Sequence, residues 1–554
     1  MDNQRLFLYI ALFLVLYLLW TSWQQENVVP EAEQAAIQEQ YPDADAVDGD
    51  VPVPSEASSM DKPPSVQSLS NVSKTEYVRV VTDVFDIAIS TRGADIHRAK
   101  LITYPVSIDQ PDNPLVLFND TGRTYISQSG LIHDPVANKS TAKLAPNHHD
   151  VYQSEQNEYR LQEGQDELVV PLTWQGDNGL TVTKTLRFKR NSFLVHIDYT
   201  LDNQGQQDWV GRQYRQLRHS YVSGERSWLR LPTYTGAAYY DDKKYERISF
   251  DDMADEPLNK QIAGGWVAML QHYFFSSWLA KDFEINDYYT NIVEETVGND
   301  YIIGMRSDPI RVAAGSQAEF QNRLYLGPKL QKRIEKINPG LELTTDYGIF
   351  TPLCKPLFWL LDFIYQWVHN WGFAIIILTL LIKLAFYRLS ASSYKSMARM
   401  RKVQPKMVTL RERYSDDKQK LNQAMWDLYK KEKINPIGGC LPILIQMPVF
   451  LSLYWVLIES VEMRQAPFML WIQDLSTKDP YFILPLLMGI SMFIQFKLNP
   501  RPPDPMQEKV FMILPFFMTA FMAFFPAGLV LYWFVNNLLS IAQQWYITKR
   551  YADD

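Results

Sequence analysis

At 554 residues the chain is too long for a single domain, and its modest formal net charge of −8 averages two unlike parts. Between Gln24 and Phe350 there are 31 Lys+Arg against 47 Asp+Glu, a net of −16, whereas Arg388 to Ile437 carries 13 against 5, a net of +8. The two cysteines, Cys354 and Cys440, exclude a disulfide framework and read as small apolar residues.

Leu6 to Trp23 is an apolar run of 18 residues behind a short head carrying Arg5. At about 1.5 Å per residue it is long enough to cross a bilayer. With no small-x-small cleavage site after it, residues 1–23 read as an uncleaved anchor with a cytoplasmic N-terminus; a cleaved signal peptide is the alternative. Residues 24–75 are rich in proline and acid, with Tyr41 as their single aromatic. Such a segment cannot bury enough apolar surface to offset its ordering entropy, so it reads as a disordered tether.

From residue 76 to 335 the apolar pattern has period two. Leu180, Val182, Leu186 and Phe188 alternate with polar residues, as do Phe193, Val195, Ile197, Tyr199 and Leu201, and Gly176–Gly179 supplies a hairpin turn before Leu180. This predicts a large antiparallel β-sandwich. The arginines between Arg212 and Arg230 read as a contact patch or a solvated face, and Lys329 to Lys336 as helical. Residues 336–370 form a linker in which Leu357–Val368 is either a helix lying in the membrane interface or the outer end of one long tilted span.

Trp371 to Tyr387, WGFAIIILTLLIKLAFY, is a spanning helix with one lysine, Lys383. A lysine deep in a span costs roughly 2.5–3.5 kcal/mol on insertion scales, so it marks a functional site by default. The basic segment 388–437 follows, with Met397, Met400, Val403, Met407 and Leu410 on one helix and Leu421, Met425 and Leu428 on a second: a helical hairpin with one apolar seam. Its Lys/Arg excess places it in the cytoplasm and the acidic domain outside. Four apolar segments, Leu441–Ile458, Tyr481–Phe496, Val510–Phe525 and Leu529–Tyr546, complete six spans counting the anchor, with both termini cytoplasmic.

By depth, Thr379, Lys383, Gln446, Ser491, Gln495, Thr519, Asn536, Ser540 and Gln543 collect toward the inner half of the bundle. Asn536, Ser540 and Gln543 fall four and three apart and so share one helix face. No carboxylate lies in the inner half of any span, so the ammonium is expected to lack a counter-ion and to be surrounded by amide and hydroxyl groups, which implies a hydrated cavity open to the cytoplasm and closed at the outer face. The bland alternatives are hydrogen bonds that only tie helices together, and a Lys383 that snorkels past Tyr387. A transporter or channel for a small anion, with Lys383 as its selectivity charge, and a passive assembly factor are the rival functions. No HExxH, GxSxG or P-loop pattern argues for an enzyme, and no cofactor or metal is expected.

NWGFAIIILTLLIKLAFY, NPIGGCLPILIQMPVFLSLYWVL, APFMLWIQDLS, DPYFILPLLMG and FPAGLVLYWFVNNLLSIAQQW, together with the basic hairpin, resemble the five-span core of the YidC membrane protein insertases. The MDNQR anchor and the large outer domain resemble the Gram-negative form. The resemblance implies an ATP-independent insertase and chaperone of the cell inner membrane, acting alone or beside the Sec translocon, with a periplasmic domain of supersandwich type. Its partners would be nascent membrane proteins, the phospholipid bilayer and ribosomes or targeting factors, with no direct nucleic-acid contact. Residues 371–554 would be the insertase core, Lys383 the basic residue of its hydrophilic groove, and Arg399, Arg401, Lys402, Lys406, Arg411 and Arg413 the recruitment surface. The family usually has arginine at this place; lysine keeps the charge but loses the planar fork. Arg388 stands where proline is common, which predicts a less sharply broken end to the Lys383 helix.

Overall fold

The computed structural model describes residue 51 and residues 76–135, 137–138, 144–221, 233–295, 298–414, 417–432, 441–499 and 505–552. The expected anchor and tether, Cys440, Ser415–Asp416, Asn435–Pro436, Arg226 and Arg230 lie outside them.

Three sheets build the β domain. The largest runs Tyr245–Ile248, Gly236–Tyr240, Trp266–Leu270, Phe274–Leu279, Ser316–Pro328, Leu194–Asn203, Leu180–Lys189 and Glu167–Gln175 in spatial order. A second sheet centres on Trp209–Tyr221, which pairs with Asn299–Ser307, Ile310–Val312 and Tyr125–His133. The third carries Tyr77–Val81 between Phe85–Ser90 and Glu158–Arg160, the latter pairing parallel while the other pairings described are antiparallel. The period-two pattern is realised: Val182, Leu186, Phe188, Val195, Ile197, Tyr199 and Leu201 are all buried in one core with Trp266 and Trp278. Gly179 closes the predicted hairpin at φ +80°, a conformation open to glycine without steric cost.

Among the described residues of the arginine-rich stretch, Arg212, Arg215 and Arg218 form no exposed patch. Arg215 is fully buried and donates to Asn322, Glu284 and Asn286, while Arg212 pairs with Asp287 and Arg218 with Glu295 and Asp300. The strand is buried on both faces from Gln213 to Leu217, so Arg215 goes inside, where a carboxylate and two amides accept from its terminal nitrogens.

Helix α1 is Phe250–Asp255 and α2 is Gln331–Ile334, shorter than the expected helical stretch. Helix α3, Thr351–Val368, ends at His369 in the left-handed conformation, and Asn370 caps the next helix by accepting from Phe373 N–H. Leu357–Val368 is therefore not the end of one long helix. Helix α3 exposes Trp359, Phe363 and Trp367 along one side while Cys354, Phe358 and Leu361 are buried.

The bundle contains α4 (Trp371–Ala385), α5 (Tyr387–Arg413), α6 (Lys418–Lys431), α7 (Leu441–Glu459), α8 (Ile483–Leu498), α9 (Pro505–Met522) and α10 (Ala527–Ala552). Helix by helix these follow the apolar segments read from the sequence, to within a few residues at most ends. None of the described helices is by itself long and apolar enough to cross a membrane; α4 and α5 meet the criterion as a pair bent by 68°. That bend at Phe386 corrects the expectation of a softer break: no proline is required, because Ser390, Ser393 and Tyr394 on α5 are buried and turn the chain back against α10. The hairpin seam forms in its central part, with Val403 and Met407 buried among Met400, Met425 and Leu428; Met397, Leu410 and Leu421 stand outside that cluster.

The β domain and the bundle meet directly. Val461, just past α7, belongs to the β-domain core. His272 Nε2 donates to the Ile458 carbonyl at 3.0 Å, and Arg464 and Gln465 donate to the Pro105 carbonyl at 2.7 and 3.0 Å.

Candidate functional site

Helices α4, α7 and α10 bring three side chains together inside the bundle. Lys383 is 6% exposed, and its Nζ donates to Ser540 Oγ at 2.7 Å and to Gln446 Oε1 at 3.4 Å. The ammonium has the surroundings expected of it, a hydroxyl and an amide in place of a counter-ion, and its burial rules against snorkelling. No carboxylate lies within ion-pair reach of it among the described residues. A hydroxyl and an amide oxygen offer it lone pairs while leaving the net positive charge in place.

The hydroxyls of this region are polarised by the backbone. Ser540 donates to the Asn536 carbonyl at 2.7 Å, so its lone pairs face Lys383. Thr379, 1% exposed and one turn before Lys383, donates to the Ile375 carbonyl at 2.6 Å. Each hydroxyl satisfies a donor within its own helix and keeps acceptor capacity for a neighbour.

A second polar group lies on the α8 side of α10. Asn537 Nδ2 donates to Ser491 Oγ at 3.1 Å, and Ser491 donates to the Met488 carbonyl at 2.6 Å. Gln544 donates to Asn499 Oδ1 at 3.0 Å. Asn537, Ser540 and Gln544 are each at most 5% exposed, whereas Asn536 and Gln543 are only half-buried. Gln543 reaches the Tyr387 carbonyl at 3.5 Å. Asn537 and Gln544 were missed in the sequence because Asn536–Asn537 and Gln543–Gln544 are doublets, and either member of each fits the three-and-four spacing.

The remaining residues do not gather at Lys383. Thr519 donates to the Pro515 carbonyl at 2.7 Å and packs on Gly489, where an added Cβ would stand 1.9 Å from its hydroxyl. Gln495 is half-buried on α8. Tyr394, unremarked in the sequence, lies against Ser540 from the α5 side. Arg399, Arg401, Lys402, Lys406, Arg411 and Arg413 are all exposed along α5, with Lys406 paired to Glu432 at 2.7 Å. They make the exposed surface of α5 cationic.

Two family models match the chain, one described as the YidC periplasmic domain over residues 77–360 and one as the 60Kd inner membrane protein over residues 363–554. The chain is 54% identical over 552 residues to the membrane protein insertase YidC of Thioalkalivibrio sulfidiphilus, covering 99% of this chain and 98% of that one. It is 48% identical to the membrane protein insertase YidC of Methylococcus capsulatus with the same coverage. Among solved structures, a crystal structure of an active YidC insertase with its first transmembrane domain resolved aligns over 86% of this chain and 93% of its own at 16% identity, with a TM-score of 0.40.

Proposed function

The chain belongs to the YidC family of membrane protein insertases, and on that premise we propose that Lys383 marks the polar wall of a groove through which substrate segments enter. It is an insertase rather than an enzyme, an inner-membrane protein with a periplasmic domain whose substrates are nascent membrane proteins. The groove would be open to the cytoplasm, lined by Lys383, Gln446, Thr379 and Ser540 and extended by Ser491, Asn537 and Gln543. Gln495, Thr519 and Asn536 would support the wall rather than contact substrate.

One observation carries this reading: a buried ammonium held by a hydroxyl and an amide, without a carboxylate among the described residues to neutralise it. Such a charge is costly in an apolar bundle and gains most from an acidic or polar partner passing beside it. A polar segment that exchanges water for these groups crosses a shorter apolar barrier while its hydrophobic part moves into lipid. The basic face of α5 would recruit ribosomes, targeting factors or anionic lipid, and the Sec translocon would be a partner in assembly. The reading further assigns six spans, cytoplasmic termini, a tether at residues 24–75 and a supersandwich at 76–335.

Insertion of a short single-span substrate into proteoliposomes by the purified full chain tests the groove. Lys383→Ala should lose most of the activity and Lys383→Arg should retain it. Equal activity in all three would remove Lys383 from the mechanism.

A further inference from the structure

A cavity of about 310 Å³ lies where the β domain, its connector to α3 and the outer end of α7 meet. This is within the roughly 300–1,000 Å³ range of small-molecule sites. Four charged side chains line it: Arg247, Lys329, Asp346 and Glu459. Arg247 and Asp346 satisfy one another at 2.9 Å, and Arg247 also lies 4.8 Å over the Tyr234 ring, so these two are wall. Lys329 and Glu459 are different. They are 3% and 8% exposed, and neither side chain makes a hydrogen bond or a close ion pair among the described residues.

Burying a charge is expensive unless it is paired, and opposite charges set into one small wall would normally touch. Here they face the same cavity without doing so. The four charges sum to zero, which argues against a simple anion or a simple cation as occupant. A molecule bearing both signs completes both groups at once. Trp455, one turn before Glu459, and Tyr245 add aromatic faces suited to a cationic headgroup. A tryptophan at the end of a spanning helix also sets the depth, since such rings sit at headgroup level.

We infer that this cavity binds a phosphoethanolamine group, with its phosphate on Lys329 and its ammonium on Glu459, supplied either by an outer-leaflet phospholipid or by a small soluble zwitterion. Neither the groove nor the substrate path enters the argument, so the site stands or falls separately from them.

The test uses the full chain. Soluble glycerophosphoethanolamine is titrated calorimetrically, with glycerol 3-phosphate and ethanolamine as single-charge controls, against the native protein, Lys329→Gln and Glu459→Gln. In parallel, nanodiscs of phosphatidylethanolamine or phosphatidylglycerol are examined by native mass spectrometry for retained lipid. Saturable binding of the zwitterion alone is expected, weakened about tenfold or more in Glu459→Gln by loss of a charge-assisted contact. Glu459→Gln keeps the shape of the side chain, so it decides the matter even if Lys329→Gln fails to fold. Phosphatidylethanolamine retained by the native protein and lost from Glu459→Gln assigns the group to a lipid; titration without retention assigns it to a soluble zwitterion. Binding of neither, or equal binding by Glu459→Gln, overturns the inference and leaves a water-filled joint.

Discussion

At the scale of single residues, the difference between Asn536 and Asn537 shows what spacing can and cannot carry. Both satisfy a helical stripe with Ser540, and only packing against α8 selects Asn537, which donates to Ser491 at 3.1 Å. Asn536 contributes its backbone carbonyl to Ser540, a role its side chain does not influence. Asn537→Ala should therefore lower the thermal stability of the purified full chain, by about 0.6–1.7 kcal/mol if the bond is typical of those between membrane helices. Asn536→Ala should leave it nearly unchanged. The reverse order in a thermal unfolding comparison would show that the side chain facing α8 had been misidentified. Lys383 was legible without any partner, because one ammonium in an apolar run is conspicuous by itself. Its partners were half legible: Ser540 and Gln446 stood in the expected set, but the direct bond that engages the ammonium depends on how α4 and α10 cross.

At the scale of elements, the apolar runs gave the helices and the alternating runs gave the strands, because both periods follow from backbone geometry alone. The bend between α4 and α5 was not legible. It arises where buried Ser390, Ser393 and Tyr394 draw α5 onto α10, a tertiary choice that overrides the absence of proline at position 388. Beyond that bend the hairpin of α5 and α6 holds itself together through Val403, Met407 and Met425 while turning its arginines and lysines outward. A seam that buries its own apolar residues makes the hairpin a separable module. Deletion of residues 399–432, which keeps Ser390, Ser393 and Tyr394 against α10, bridged by a short flexible linker, should abolish insertion of ribosome-delivered substrates. The deleted protein should keep the unfolding transition of its β domain, followed by circular dichroism. Full insertion activity after deletion would rule out recruitment by this surface.

At the scale of the whole molecule, the union of β domain and bundle was invisible in the sequence because its contacts join positions hundreds of residues apart. Val461 enters the β-domain core, and Arg464 reaches Pro105 across 359 residues of chain. Glu462 sits inside this joint with one carboxylate oxygen enclosed and without a hydrogen-bond partner among the described residues. Burial pushes its carboxyl up from the usual range to about 7, with nearby Asp362 adding to the rise. The sign follows directly: the native state holds this proton more tightly than the unfolded chain, whose carboxyl ionises near 4.5. Between those two values the native state binds more protons, so this group's contribution to stability falls as pH rises through that window and levels off above about 7. Glu462→Gln, which cannot ionise, should come nearest the native protein in melting temperature at about pH 4 and exceed it increasingly up to about pH 8. The comparison between the two proteins cancels every other group that titrates in that window. A difference in melting temperature that stayed constant over that range would mean that Glu462 is already ionised in the native state at about pH 5, and that the joint accommodates its charge through movement of Lys332 or of the chain around Gln331.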